Sequence, residues 1–364
     1  MLESSHPHPL DEVPCHDPFI LPVEDGYLLY TSYDSARWEL FVPPGSDHRA
    51  PPGTGVLAWW SPDLLTWGSP RAVLTVPEDC WADPTRAPWA PEVHAWNGRY
   101  VLAATLHAPD DRLPDVRQRG TRITLAPAVV DRYDFAPSRR GTVLAVADDP
   151  RGPFELLDPA SSHTPRDFMA LDGTLTRDEH GRPWFVYAHE WVQILDGTME
   201  AVPLDEDLGV AGDPVHLFRA SEASWFADVV PSTQALAPYV TDGPQLVRLP
   251  DGALGMLWAS YRPDLGFSAG EYVETQAISR SGSLLGPWEQ GDVLVGGNAG
   301  HGMLFRRHAG DLAGGETEGG ETADPDPGPD TLVLHRGMNS SRVRAEIHAV
   351  GLTPDGVVLR ERLA

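Results

Sequence analysis

Residues 90–107 read A-P-E-V-H-A-W-N-G-R-Y-V-L-A-A-T-L-H, an apolar strand, an Asn-Gly turn at Asn97-Gly98 and a second apolar strand. Asn-Gly and Asp-Gly favour tight hairpins because both central residues of a type I′ turn need a positive φ. The pattern returns in three further hairpins and in a fifth that is split in two. These are 17–33 with Asp25-Gly26, 171–191 with His180-Gly181, 241–261 with Asp251-Gly252, and 300–307 with 331–336.

Weaker strand signals follow the hairpins, as at 61–67, 148–156 and 281–289. The repeating unit is then about four strands over roughly 60 to 80 residues, which is typical of a propeller blade. Five units predict an all-β fold, a five-bladed β-propeller forming a single domain over residues 1–364. A pair of β-sandwiches is the alternative, but it gives no reason for five similar hairpins at such wide spacing.

Segment 309–330 breaks the pattern because it is acidic, rich in Gly and Pro and almost free of large apolar residues. Such a composition buries too little surface to fold, which predicts a disordered acidic loop inside the last blade. An inert surface insertion and a regulatory or partner-binding tail both fit this composition.

Composition excludes several classes of function. The 53 acidic residues against 27 basic ones give a net charge of -26, which argues against nucleic-acid partners and anionic membranes. The chain has no Lys, so a Schiff-base lysine and a P-loop lysine are both excluded. The two cysteines, Cys15 and Cys80, cannot form a disulfide framework or a thiolate zinc cluster. No stretch of about 18 apolar residues predicts a membrane span.

The N-terminal sequence M-L-E-S-S-H-P-H-P-L-D-E lacks the basic region and apolar core of a signal peptide. We therefore expect a cytoplasmic protein.

Acidic residues recur where the first strand of each predicted blade begins. These residues are Asp17, Glu92, Asp172 and Asp242, with His301 in the fifth blade. The second strand returns to the same mouth of the channel, which adds His107, His189, Glu190 and Trp191 to the rim. A single Asp before Pro or Gly often only forms an Asx turn. Acids repeated at one topological position beside tryptophans instead indicate a pocket for a neutral, polyhydroxylated ligand, and paired carboxylates fit glycoside hydrolysis.

Five motifs, one per blade and in order, give the chain a resemblance to glycoside hydrolase family 43. They are H-D-P-F-I (16–20), W-A-P-E-V-H (89–94), L-D-G-T-L (171–175), Y-V-T-D-G-P-Q-L (239–246) and G-H-G-M (300–303). The resemblance covers nearly the whole chain. Members of that family are five-bladed propellers that act mostly on arabinofuranosides and xylosides.

The resemblance also implies roles for individual residues. Asp17 matches the general base that activates water, and Asp172 matches the carboxylate that orients the acid and keeps its pKa raised. Asp242 stands where the family's general acid is usually Glu. Glu92 matches a sugar-binding residue, and His301 matches a histidine near a central structural cation, commonly Ca²⁺. A packed channel histidine without metal is the alternative for His301, and no cofactor is expected for the chemistry.

Two departures from the family pattern affect the site. His16 precedes Asp17 where the family often has Arg. Asp242 is one methylene shorter than Glu, which places a proton donor about 1 Å further from the glycosidic oxygen, and such a misplacement costs about a hundredfold in rate. The general acid is therefore either Asp242 in a reshaped pocket or Glu190 at the rim. Trp89, Trp191 and Trp225 are candidates for stacking on sugars or for packing between blades, and His107 and His189 are further candidates for substrate binding.

The prediction that follows is an inverting glycosidase for arabinofuranosyl- or xylosyl-containing oligosaccharides. Inversion needs one carboxylate to activate water while a carboxylic acid protonates the leaving oxygen. A glycoside phosphorylase or fructan-type transferase is a second possibility, although the Arg residues show no cluster beside the blade starts for a phosphate. A sugar-binding propeller with impaired catalysis is a third. The sequence leaves the oligomeric state open.

Overall fold

The computed structural model describes residues 7–34, 53–114, 137–194, 196–226, 239–262, 270–312, 328–338, 340 and 342–364. These residues form five antiparallel sheets of four strands, each built from one continuous stretch of the chain, and a two-stranded sheet in which His8–Pro9 pairs with Thr66–Trp67. The prediction of an all-β, five-bladed propeller is confirmed.

Each blade runs from an inner first strand to an outer fourth strand, and the bounds follow for blades 1 to 5. The first strands are Phe19–Val23, Trp89–Trp96, Ala170–Arg177, Asp242–Arg248 and Ala299–Phe305. The second strands are Gly26–Asp34, Arg99–Arg112, Pro183–His189, Leu254–Arg262 and Thr331–Arg336. The third strands are Thr54–Ser61, Ser138–Ala147, Thr198–Pro203, Glu271–Ser279 and Arg344–Thr353. The fourth strands are Arg71–Thr75, Glu155–Leu156, Val215–Arg219, Glu289–Val295 and Gly356–Arg362.

The first strands of successive blades contact one another, and the first strand of blade 5 contacts that of blade 1. This ring closes without a blade shared between the two ends of the chain. Residues before blade 1 instead cross to blade 5, where the Cys15 N–H donates to the Val343 carbonyl at 3.4 Å and Arg344 Nε donates to the Asp11 carbonyl at 2.9 Å. The described helices are short, at Trp191–Ile194, Leu10–Glu12, Ala220–Glu222 and Ser224–Phe226. None of them is long and apolar enough to cross a membrane.

The five predicted hairpins are present, but their turns are of more than one type. Asn97 and Gly98 both have positive φ, 47° and 80°, as a type I′ turn requires. At Asp251-Gly252 only the glycine is left-handed, and the loop is wider, with Leu249 N–H donating to the Ala253 carbonyl at 2.9 Å. The expectation of two positive φ angles was thus wrong there, because an Asp side chain that accepts the Ala253 N–H stabilises the wider loop. It was also wrong in blade 1, where Val23 pairs with Gly26, so that Glu24 and Asp25 form the turn and neither has a positive φ.

The hairpin of blade 5 is split as predicted, with Phe305 paired to Thr331 across the insertion. Most of the predicted acidic loop 309–330 lies outside the described residues. Its described beginning contacts blade 1, where the Tyr27 hydroxyl donates to Asp311 Oδ2 at 2.7 Å and accepts the His308 N–H at 2.7 Å.

Hydrogen bonds join neighbouring blades close to the channel. Thr105 and Thr142 of blade 2 accept the N–H groups of Asp172 and Gly173 in blade 3, at 2.8 Å and 3.1 Å. Both threonines are fully buried. Because a buried N–H without an acceptor is costly, these two side chains fix the start of blade 3 against blade 2.

We predict that Thr105→Val lowers the free energy of unfolding by about 1 to 3 kcal/mol, since valine keeps the shape but leaves the buried Asp172 N–H without an acceptor. Urea denaturation measures the change. Thr105→Ser, which keeps the hydroxyl, serves as the matched control and should recover most of the loss. Equal stability of the valine and serine variants would contradict the role of this hydrogen bond.

Candidate active site

One left-handed residue lies at or close to the start of each first strand, within the strand in blades 2 to 5 and two residues before it in blade 1. These residues are Asp17 (φ 49°), Ala90 (φ 44°), Asp172 (φ 55°), Gly243 (φ 55°) and His301 (φ 55°). In blades 2 to 5 the pairing register shifts across this residue, which is a β-bulge. Four of the five are not glycine, and such strained backbone persists where the surroundings enforce it, often at functional sites.

The bulges revise the expected equivalence of the acidic residues. Asp17, Asp172 and His301 share the left-handed position. Asp242 lies one residue before it and Glu92 two residues after it, because Gly243 and Ala90 occupy the bulge in their blades. The expectation of a carboxylate at the same place in four blades was therefore wrong for Glu92 and Asp242, although both belong to first strands.

The bulge residues meet around His301. Its Nδ1 lies 3.2 Å from Asp17 Oδ1 and 3.8 Å from Asp172 Oδ2. Asp172 Oδ2 accepts the N–H of Gly243 at 3.2 Å, which links it to the residue after Asp242. Asp17, Asp172 and Asp242 are thus connected through His301 and one backbone N–H.

A second set of contacts connects the same carboxylates from the other side. Asp242 Oδ2 accepts the hydroxyl proton of Tyr272 at 3.0 Å. The Tyr272 ring stacks on His335, with centroids 5.3 Å apart and an interplanar angle of 17°. His335 Nδ1 accepts the Asp17 N–H at 3.0 Å and lies 3.2 Å from Asp17 Oδ1.

The pKa values of the three aspartates are shifted in different directions. For Asp17 burial acts to raise the pKa, but the neighbouring His301 and His335 outweigh it and hold the pKa below its usual range. Burial, with the charges of Asp17 and Glu190, raises the pKa of Asp242 to about 8. Burial and the charges of Asp242 and Asp17 raise the pKa of Asp172 well above its usual range. The pKa of Asp17 is therefore shifted down while the pKa values of Asp242 and Asp172 are shifted up, and such a separation marks acid and base roles.

Arg140, on the third strand of blade 2, contacts three of the residues predicted to line the channel mouth. Its guanidinium donates to Glu190 Oε2 and to His107 Nδ1, the latter at 3.1 Å. The same guanidinium lies 4.2 Å from the ring centroid of Trp89, a cation–π contact. The rings of His107 and Trp89 pack in a T-shaped arrangement, with their centroids 4.5 Å apart. Trp89 is 43% exposed, so these groups support an aromatic surface that remains open to a ligand.

The other predicted binding residues lie in mixed surroundings. Glu92 is buried and its Oε2 lies 2.8 Å from His94 Nε2. His189 is buried, stacks on Phe168 at 4.1 Å and pairs with Gln193. Trp191 is half-buried at the start of its short helix, and Trp225 stacks on the core residue Trp258 at 6.2 Å. Their roles in substrate binding stay predictions.

Sequence reasoning missed Arg140, Tyr272 and His335. The rule that selected His107 and His189, that second strands end at the channel mouth, also selects His335, which lies next to the end of its strand Thr331–Arg336. Nothing local singles out Arg140 or Tyr272, because each lies on a third strand and reaches the site only through tertiary contacts.

The predicted Ca²⁺ near His301 requires oxygen ligands, of which calcium takes about six to eight. The imidazole Nδ1 of His301 faces the carboxylates of Asp17 and Asp172. The described parts of the chain contain no group of three or more His, Cys, Asp or Glu side chains arranged to hold a metal ion. The Ca²⁺ near His301 stays a prediction, and none of the proposed steps depends on a cation.

The family can now be assigned. The sequence profile described as glycosyl hydrolases family 43 matches residues 7–319, which is most of the chain. The chain therefore belongs to family 43 of the glycosyl hydrolases, and it is a glycoside hydrolase with a carbohydrate substrate. The resemblance inferred from the five motifs is confirmed.

Solved structures agree with this assignment in fold. An endo-arabinase from Bacteroides thetaiotaomicron VPI-5482 is 29% identical with a TM-score of 0.70, and the match covers 97% of this chain and 99% of that one. An endo-1,4-beta-xylanase from the same organism is 17% identical with a TM-score of 0.62, covering 97% and 98%. An alpha-L-arabinofuranosidase from Lactobacillus brevis is 15% identical with a TM-score of 0.61, covering 95% and 93%. No curated protein matches significantly.

Proposed function

We propose that the protein hydrolyses arabinofuranosyl- or xylosyl-containing oligosaccharides with inversion, Asp17 acting as general base and Asp242 as general acid. The observation that carries the proposal is the contrast between their surroundings: Asp17 lies 3.2 Å from both His301 and His335, which hold its pKa low, whereas Asp242 contacts the Tyr272 hydroxyl and its pKa is raised by burial and nearby acids. An ionised carboxylate accepts a proton from water while a neutral carboxylic acid supplies one to the departing oxygen. Inversion itself follows from the family resemblance.

Asp242 is a better candidate for the acid than Glu190. Burial raises the pKa of Glu190, but the guanidinium of Arg140, which donates directly to this carboxylate, opposes the shift. A proton on Glu190 would disturb this ion pair, so Glu190 is a less suitable proton donor. The described contact of the Asp242 carboxyl is instead the neutral Tyr272 hydroxyl.

Asp172 supports this acid through the backbone. Its Oδ2 accepts the Gly243 N–H and its own N–H is held by Thr105, so the bulge that follows Asp242 is fixed from blade 3. Its raised pKa keeps a further negative charge away from the acid. We assign Asp172 a positioning role.

The rim is suited to a sugar. Trp89 offers an exposed aromatic face, which stacks favourably on the apolar face of a sugar ring. The charge of Arg140 is paired with Glu190, so this arginine is not available for a phosphate. This arrangement favours hydrolysis over phosphorolysis.

Arabinose-containing substrates come first among the candidates. The solved structure at 29% identity is described as an endo-arabinase and matches almost end to end. We therefore expect arabino-oligosaccharides to be better substrates than xylo-oligosaccharides.

The test uses aryl α-L-arabinofuranosides, aryl β-D-xylosides and the corresponding oligosaccharides. We expect release of sugar from the arabinosyl substrates, and proton NMR at early times should show the product anomer opposite to that of the substrate. A product of retained configuration would contradict the proposed single displacement. Binding of oligosaccharide without any sugar release would contradict the hydrolase assignment for this panel.

A further inference from the structure

Tyr272 contacts the proposed acid directly. It lies on the third strand of blade 4, is 1% exposed, and its hydroxyl donates to Asp242 Oδ2 at 3.0 Å. Of the two oxygens of the Asp242 carboxyl group, the Tyr272 hydroxyl donates to Oδ2. The contact therefore distinguishes Oδ2 from Oδ1.

The ring that carries this hydroxyl is fixed on several sides. It stacks on His335, and its backbone N–H donates to Asn298 Oδ1 at 3.2 Å. A Cβ at Gly300 would lie 2.7 Å from Tyr272 Cε1, so the bulge of blade 5 has room for the ring only because residue 300 is glycine. The hydroxyl is thus presented to Asp242 in one orientation.

We propose that Tyr272 is a positioning residue that fixes the carboxyl of Asp242 so that Oδ1 carries the proton delivered to the glycosidic oxygen. The proposal rests on the assignment of Asp242 as the acid. In a carboxylic acid the carbonyl oxygen is the better hydrogen-bond acceptor, so a donor on Oδ2 places the proton on Oδ1.

The transfer step then involves three bonds. The Oδ1–H bond breaks, the proton forms a bond to the glycosidic oxygen, and the bond from the anomeric carbon to that oxygen breaks with its electron pair passing to the oxygen. Tyr272 keeps its own proton. The carboxylate left on Asp242 remains hydrogen-bonded at Oδ2, which stabilises the product of the transfer.

This contact also accounts for an aspartate where a glutamate is usual. A shorter side chain places the carboxyl group further from the substrate, so the orientation of this group must be closely controlled for proton transfer. The Tyr272 hydroxyl fixes the orientation of the Asp242 carboxyl group without supplying a positive charge, so the acid stays neutral.

The test is Tyr272→Phe, which removes one oxygen and keeps the ring. On substrates with a poor leaving group we expect kcat to fall by roughly 10- to 100-fold with little change in KM, since misaligned proton transfer is costly. On aryl substrates with a good leaving group, which need little protonation, we expect a change of less than about 3-fold. Equal losses on both kinds of substrate, or no loss on either, would overturn the proposal.

Two further variants separate positioning from stability. Tyr187→Phe is the matched control, because the Tyr187 hydroxyl is buried and has no hydrogen-bond partner among the described residues. It should leave both rates unchanged. In an Asp242→Asn background, Tyr272→Phe should add little further loss, because residues that act as one unit are not additive.

The pH profile gives a readout that a purely structural role does not move. The Tyr272 hydrogen bond lowers the pKa of Asp242, so its removal should shift the basic limb of kcat/KM to higher pH. The other charged groups that act on Asp242 stay in place in this variant, namely Asp17, Glu190 and Arg140, with Asp172 as a further neighbour. An unchanged or lowered basic limb would count against the hydrogen bond.

Infrared difference spectroscopy tests the contact without substrate. The carboxylic acid band of Asp242, assigned by its loss in Asp242→Asn, should move to higher frequency in Tyr272→Phe as its carbonyl loses a donor. An unchanged frequency of this band would contradict the inference even if the enzyme is active. If the band moves but no substrate of the panel is hydrolysed, the contact stands and the proposed function fails.

Discussion

Replacing Asp17 by Asn should lower kcat by roughly 10³-fold, within the range for removal of a general base. The loss should be similar for good and poor leaving groups, because water must be activated in both cases. The substitution keeps the side-chain shape but removes the charge that His301 and His335 hold ionised. Aglycone release from a matched pair of aryl arabinofuranosides, one with a good and one with a poor leaving group, measures the effect.

Asp148→Asn is the control for this experiment. Asp148 pairs with Arg99 on the surface, with its side chain 90% exposed, so the same chemical change there should leave kcat within about 2-fold because exposed ion pairs contribute little. Activity in Asp17→Asn close to that of the parent would remove Asp17 from the mechanism. Circular dichroism of both variants should show the same strand content as the parent.

Replacing Asp242 by Asn should lower kcat by about 10² to 10⁴-fold on poor leaving groups and far less on activated ones, which is typical of a lost general acid. Glu190→Gln provides the comparison. Because Glu190 is paired with Arg140, we expect its variant to lose similar amounts on both kinds of substrate through disturbance of the rim. If instead only Glu190→Gln is rescued by a good leaving group, Glu190 is the acid and the assignment of Asp242 is wrong.

The pH dependence follows from the same residue. Asp242 must be protonated to act, and burial with nearby charge raises its pKa to about 8. Activity is therefore expected below that value and should decline as the pH rises through it. The acidic limb of the pH profile should lie at low pH, because the pKa of Asp17 is held below its usual range. In Asp242→Asn, assayed on an activated substrate, the basic limb near pH 8 should be absent.

The fold was predictable because its signals are local. A turn such as Asn97-Gly98 and the apolar strands beside it need no distant partner to be recognised, and the repeat supplied the blade number. The turn types were less predictable, since the wider loop at Asp251-Gly252 depends on a side-chain hydrogen bond to Ala253.

The candidate site was predictable where chemistry coincides with a repeated position. Asp17, Asp172 and His301 share the left-handed position, and each lies in or close to a first strand that the pattern identifies. Asp242 was found through its motif, although it lies one residue before the bulge. Arg140 and Tyr272 have no such signal, because each reaches the site from a third strand.

By itself the sequence determined five blades, the acidic residues at their first strands and the family, because strand period, turn chemistry and motif order are properties of short segments. Only the tertiary structure decided for which carboxyl the pKa is lowered and for which it is raised. That difference arises from burial and from charges contributed by other blades: His301 and His335 lower the pKa of Asp17, whereas burial, Asp17 and Glu190 raise the pKa of Asp242. Such interactions join residues far apart in the chain, as with the 318 positions between Asp17 and His335, and they exist only once the ring of blades has closed.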